Sequence, residues 1–213
     1  MTNSPERTPH ELSMKLERMG LKVSASHFYT SAMATAEFLS TQKPGCTAYV
    51  IGEAALTKAM YDKKIYMNDI NPDYVVFGET RSLNYEKIEK AVKLVFNGAK
   101  LIGTNSDLTA KVESGIIPAC RALISSIEMT TGRGAYFIGK PNPLMMRHAL
   151  KKLDCHRVDA AIIGDRMDTD ILSGIESELD TVLVLTGVTE KEDLIKYAYQ
   201  PKYVLDSVGD IVP

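Results

Sequence analysis

This 213-residue sequence has no Cys-x-x-C pair, and its three cysteines, Cys46, Cys120 and Cys155, are widely spaced and odd in number. That usage argues against a disulfide framework and points to a reducing cytosol with buried thiols. No apolar run approaches the ~18 residues of a membrane span. The first residues hold no apolar core of the signal-peptide kind. A cytoplasmic chain without a membrane partner is therefore expected. The formal net charge is only −2, so no excess of positive charge marks a nucleic-acid surface. Neither G-x-G-x-x-G nor G-x-x-x-x-G-K-[ST] occurs, which argues against another kind of α/β nucleotide-binding protein. Repeats, low-complexity tracts and obvious linkers are also missing.

What is present is an ordinary globular balance of 45% hydrophobic and 24% charged residues, ample for a core. Thr8-Pro9-His10-Glu11 reads as a capping box with proline in the first turn, followed by Leu12, Leu16 and Met19 at helical spacing and a stop at Gly20. Beyond it the pattern alternates. Strands are expected at 27–31, 47–52, 73–78, 100–105, 135–139, 159–165 and 181–187. Helices are expected over 32–40, 53–63, from Asn84 to about Phe96, over 117–132, and starting near Pro143 and Asp170. The last three apolar runs do not alternate polar with apolar residues and read as buried on both faces. The whole is the pattern of an α/β fold with a mostly parallel sheet covered by helices.

Ligands in such sheets bind beyond the carboxyl ends of strands, so the residues following each strand are the ones to read. Lys140-Pro141 follows "AYFIG", Asp165 follows "AAIIG" in "GDRMDTD", and Thr2-Asn3 follows Met1. A lysine, a carboxylate cluster and a hydroxyl–amide pair suit phosphate and a hard divalent cation such as Mg²⁺, which takes oxygen ligands and keeps several waters. The lysine would offset phosphoryl charge, and hydroxyl, amide and backbone N–H groups would bind the remaining oxygens. Each element also has a plainer reading. Thr2-Asn3-Ser4 is an ordinary turn or cap, Lys140 a solvated lysine, and Asp165, Asp168 and Asp170 acids favouring the start of a helix. Their combination, each after a strand, favours the site.

The runs "TNS…RTPHELSMKLERMGL", "FYTSAMATAEFL", "NPDYVVFGETRSLNYEKI", "GTNSD", "IPACRAL", "GKPNP" and "IIGDRMDTDILSG" resemble the NagD-like phosphatases of the haloacid dehalogenase superfamily, class IIA, across essentially the whole chain. The resemblance implies a HAD-like Rossmannoid core, residues 1–40 and 134–213, with an inserted α/β C2-type cap, residues 41–133, that chooses the substrate. It implies an Mg²⁺-dependent phosphomonoesterase acting on a small phosphorylated metabolite, of the nucleoside monophosphate, phosphoglycolate, pyridoxal phosphate or sugar phosphate type. Neither nucleic acid nor a membrane is an expected partner, and a homo-oligomer is left open. Thr2 matches the hydroxyl residue that binds the transferring phosphoryl group, and Asn3 its neighbour on the substrate phosphate. Lys140 matches the lysine that stabilises the nucleophilic carboxylate and phosphoryl oxygens. Asp165 matches a direct Mg²⁺ ligand, and Asp170 the acid behind the metal and Lys140. Arg166 and Asp168, on the same loop, would touch substrate. A second Thr-Asn-Ser, at 104–106, falls in the cap, where Asn105 and Asp107 would face the site opening; a plain strand-to-loop turn is the alternative.

One element of the family pattern has no counterpart here. The reaction it implies uses an apolar strand ending in Asp-x-Asp-Gly, whose first Asp attacks phosphorus and whose second is general acid and base. The one Asp-x-Asp in the sequence, Asp168-Thr169-Asp170, lies in the later motif and is followed by Ile171. The expectation is thus a chain without nucleophile or general acid, inactive as written, whose opening Thr2 is the end of a strand begun upstream. That strand would lie centrally in the core sheet. Its loss would leave rows of backbone groups unpaired at about 1–3 kcal/mol each, against a typical stability of about 5–15 kcal/mol. The competing expectation is a non-catalytic phosphate- and metal-binding or interaction module.

Overall fold

The computed structural model describes residues 1–211. The chain divides into two compact units, Met1–Gly139 and a second beginning at Lys140.

The first unit opens with a single parallel bridge between Thr2 and Thr30, closed by Thr2 N donating to the Tyr29 carbonyl and Ser31 N donating to that of Thr2. Helix α1 (Pro9–Arg18) starts as the sequence dictates. Thr8 Oγ1 accepts from Glu11 N at 3.2 Å, and Glu11 Oε2 accepts from Thr8 N at 2.7 Å. Leu12 and Leu16 are half-buried, while Met19 is exposed, so the helix lies at the surface. The Thr8 contacts hold the Glu11 carboxyl below the ordinary carboxylate range. A lowered carboxyl stabilises the fold above its unfolded pKa, and that contribution fades as pH falls through the folded value. Replacing the cap, Thr8→Ala, is expected to cost about 1 kcal/mol in urea unfolding at neutral pH, with the gap narrowing in acid.

Helix α2 (Ser31–Gln42) leads to β1 (Thr47–Ile51), α3 (Ala54–Asp62), β2 (Tyr66–Met67), β3 (Tyr74–Phe77), α4 (Tyr85–Phe96) and β4 (Lys100–Gly103). A hairpin, β5 (Thr109–Val112) with β6 (Gly115–Pro118), precedes α5 (Cys120–Thr131) and β7 (Tyr136–Phe137). The parallel sheet runs β2-β1-β3-β4-β7. All four residues of β3 are buried, as a central strand covered on both faces requires. Val75 and Phe77 pack with Leu94 and Val95 of α4 and with Ile124 and Ile127 of α5.

The second unit holds α6 (Pro143–Leu153), β8 (Ala161–Gly164), a π-turn at Met167–Ile171 running into α7 (Leu172–Glu176), β9 (Asp180–Val184) and β10 (Tyr203–Leu205). Its parallel sheet has the order β10-β9-β8.

Four expectations need correction. The helix expected over 117–132 starts at Cys120, because Gly115–Pro118 form β6, paired antiparallel with β5. The run 135–139 forms only the two-residue β7, and it pairs with β4 in the sheet of the preceding segment; its short apolar stretch carries no information about which sheet it joins. The strand expected over 27–31 is a 3₁₀ turn at Ala25–His27 followed by the lone bridge at Thr30, because the segment has one partner residue rather than a ladder. The late strands are not all buried on both faces: Ile163 of β8 is 46% exposed, since among the described residues β8 pairs only with β9 and forms the sheet edge.

Candidate active site

Lys140 and the loop after β8 come together in the second unit. Lys140 is 9% exposed, and its Nζ donates to Asp170 Oδ1 at 2.5 Å. Asp170, 6% exposed, uses its other oxygen to accept from Arg166 N at 3.3 Å. The π-turn buries Met167, Thr169 and Asp170 while leaving Asp168 outside. Gly164 is required beneath it, because a Cβ there would lie 2.3 Å from Asp170 Cβ. A buried carboxylate needs such saturation by donors.

Asp165 directly follows β8 and bonds to the loop after β9. Its Oδ2 accepts from Val188 N at 2.8 Å, and its carbonyl accepts from Thr189 N at 3.1 Å. Arg166 and Asp168, on the same loop, are the residues the resemblance assigns to substrate. In the structure Arg166 Nε and one terminal nitrogen donate to Asp168 Oδ1 and Oδ2 at 3.0 and 2.8 Å. This is a bidentate pair in which much of each charge is spent on the other.

In the first unit, Thr2 Oγ1 accepts from Ser4 N at 3.2 Å. The Asn3 side chain donates to Asp107 Oδ2 at 3.1 Å, and its carbonyl accepts from Ser31 Oγ and from Asn105 Nδ2. The second Thr-Asn-Ser is therefore an internal bracket. Asn105 is fully buried, donates to both Glu79 oxygens, and accepts from Asp107 N to close its own turn. Burial pushes the Glu79 carboxyl upward. Burial, reinforced by the Glu79 charge, pushes the Cys120 thiol up to about 12, which leaves it an inert core group.

Sequence reading missed Glu79 and the Gly187–Thr189 loop. For the loop a signal existed, since "TVLVLTG" ends a strand as "AAIIG" does. Glu79 had none, because a single acid after "YVVFG" is indistinguishable from a solvated one.

The donor chemistry here fits Mg²⁺. Asp170 has both oxygens engaged, whereas Oδ1 of Asp165 carries no hydrogen bond among the described residues. Those residues contain no group of three or more His, Cys, Asp or Glu able to encage a metal. Mg²⁺ does not demand one: it is commonly held by one or two carboxylates, with waters and substrate phosphate completing the shell. Asp165 would hold it, and Asp170 would stand behind.

Two family models match the chain: a haloacid dehalogenase-like hydrolase model over residues 1–65 and a HAD-hydrolase-like model over residues 137–211. Dihydroxyacetone phosphatase from Corynebacterium glutamicum is 43% identical over 211 residues, which are 99% of this chain and 77% of that protein. Ribonucleotide monophosphatase NagD from Escherichia coli is 42% identical, over 99% of this chain and 83% of that one. The solved structure of NagD from the K-12 strain superposes with a TM-score of 0.92, covering 99% of this chain and 82% of that one. No helix among the described residues is long and apolar enough to cross a membrane. With relatives this similar over nearly its full length, the chain belongs to the haloacid dehalogenase-like hydrolases, among the NagD-like phosphatases.

Proposed function

We propose that the chain serves Mg²⁺-dependent hydrolysis of a phosphate monoester of a small metabolite. The observation that carries this reading is the buried Lys140–Asp170 pair, with Asp170 on the same loop as Asp165, whose Oδ1 carries no hydrogen bond among the described residues. Lys140 supplies positive charge to phosphoryl oxygens, and Asp170 fixes the ammonium in place. Bound Mg²⁺ would neutralise charge on the phosphoryl group. Residues 41–133 would choose the substrate, with 1–40 and 134–213 carrying the chemistry. The relatives named above act on dihydroxyacetone phosphate and ribonucleotide monophosphates by their names; a small phosphorylated metabolite is the class proposed here.

Isothermal titration of the 213-residue chain with Mg²⁺, and then with orthophosphate, tests this. Asp165→Asn is expected to weaken Mg²⁺ binding at least tenfold, and Lys140→Ala to weaken orthophosphate binding by a similar factor. Binding of both ligands unaffected by both substitutions would refute the site. A second reading, a binding module without turnover, is favoured by one fact: the 213 residues contain no Asp-x-Asp-Gly.

A further inference from the structure

We infer that Gly187-Val188-Thr189 forms the seat that aims the Asp165 carboxylate, with Thr189 as a positioning residue. The inference deepens, and rests on, the reading of Asp165 as a cation ligand. Four observations within one tripeptide carry it. Gly187 leaves the space that Asp165 fills: a Cβ there would lie 2.0 Å from Asp165 Oδ2 and 2.4 Å from its Cβ. Rotating the Asp165 side chain cannot relieve a clash with its own Cβ, so an alanine at 187 must displace one loop or the other. Val188 N donates to Asp165 Oδ2 at 2.8 Å. That bond occupies one carboxylate oxygen; the other, Oδ1, carries no hydrogen bond among the described residues. Thr189 N donates to the Asp165 carbonyl at 3.1 Å. Finally Thr189, 5% exposed, accepts from Met167 N through Oγ1 at 3.2 Å.

Thr189 thus holds the backbone on both sides of Arg166, at the carbonyl of Asp165 and the amide of Met167. These two hydrogen bonds reach main-chain atoms and not the Asp165 carboxylate. The chemistry is that of an outer partner orienting a metal-binding carboxylate, whose loss typically costs 10–100-fold in metal affinity. A hydroxyl is needed, because Met167 N is a buried donor that requires an acceptor. Serine can supply one; valine, of the same shape, cannot.

The test uses the full 213-residue chain, with Mg²⁺ alone as titrant and amide hydrogen exchange as an independent readout. Thr189→Val is expected to weaken Mg²⁺ binding at least tenfold and to speed exchange at Met167 and Val188 at least tenfold. Thr189→Ser is expected to keep both close to the parent. Gly187→Ala should weaken Mg²⁺ binding at least as much as Thr189→Val, and it decides the matter if far-UV circular dichroism shows Thr189→Val unfolded. Parent-like Mg²⁺ affinity in Thr189→Val and Gly187→Ala would overturn the seat, as would a Thr189→Ser variant as impaired as the valine. If the parent itself binds no Mg²⁺, the cation reading fails, and the exchange rates alone decide the seat: unchanged rates in Thr189→Val overturn it, and faster rates support it.

Discussion

Incubated with p-nitrophenyl phosphate and Mg²⁺, the 213-residue polypeptide is expected to release p-nitrophenolate no faster than a control in which Asp165 is replaced by Asn. Lys140 and Asp165 can hold phosphate and metal, but holding does not attack phosphorus. Covalent catalysis divides one hard displacement into two easier ones, and both need a carboxylate nucleophile. A positioned general acid contributes about 10²–10⁴-fold on its own, and the sequence provides neither group in an Asp-x-Asp-Gly setting. What is left is electrostatic assistance to water. A polypeptide carrying an additional apolar strand that ends in Asp-x-Asp-Gly ahead of Thr2 is expected to turn over the ester, and Asp165→Asn in that longer polypeptide to abolish the gain. Turnover by the 213 residues alone that disappears on Asp165→Asn would mean the nucleophile lies elsewhere in the chain.

The second large effect concerns stability. Asp170→Asn is expected to destabilise the second unit by about 3–5 kcal/mol, because it strips the carboxylate from a buried ammonium. The pair lies with 11% and 9% of its two side chains exposed, well below the level at which solvent would screen it. Lys140→Met alone should cost a similar amount, leaving the Asp170 carboxylate short of a cation. The double substitution Lys140→Met with Asp170→Leu should recover most of the loss, since apolar replacements of a buried pair are often neutral or stabilising. Urea unfolding followed by circular dichroism reads all three. A loss below about 1 kcal/mol for Asp170→Asn would show the pair to be effectively solvated.

The pair also shows how far the sequence could be read. "GKPNP" and "GDRMDTD" signalled that a lysine and an acid cluster belonged to one chemistry, and Lys140 and Asp170 do meet. The π-turn that buries Asp170 and exposes Asp168 was not legible, because Asp-x-Asp spacing places both acids equally well on an ordinary helical turn. Strong local signals, such as the Thr8–Glu11 box and the Asn84 cap, gave helix starts that match the structure. The end of β6 has the pattern of a helix start, since "IIPAC" runs into α5 without a break in apolar character and Pro118 reads as a first-turn proline. β7 was misplaced for a different reason: pairing partners are set by tertiary packing, which a five-residue apolar run does not encode.

Asn3 and Asn105 are joined by a hydrogen bond spanning 102 positions, and that span gives the first unit a timetable. A ribosome adds about 5–20 residues per second, so the opening turn waits on the order of 5–20 s before its anchor has been synthesised. Until then the Asn3 carbonyl lacks the Asn105 amide, and the Glu79 carboxylate lacks two of its contacts. Contacts of long sequence separation also close slowly once both ends are present. The Thr2–Ser4 turn is thus among the last parts of the unit to set, and the nascent chain presents it to chaperones and proteases for longer than any helix that follows.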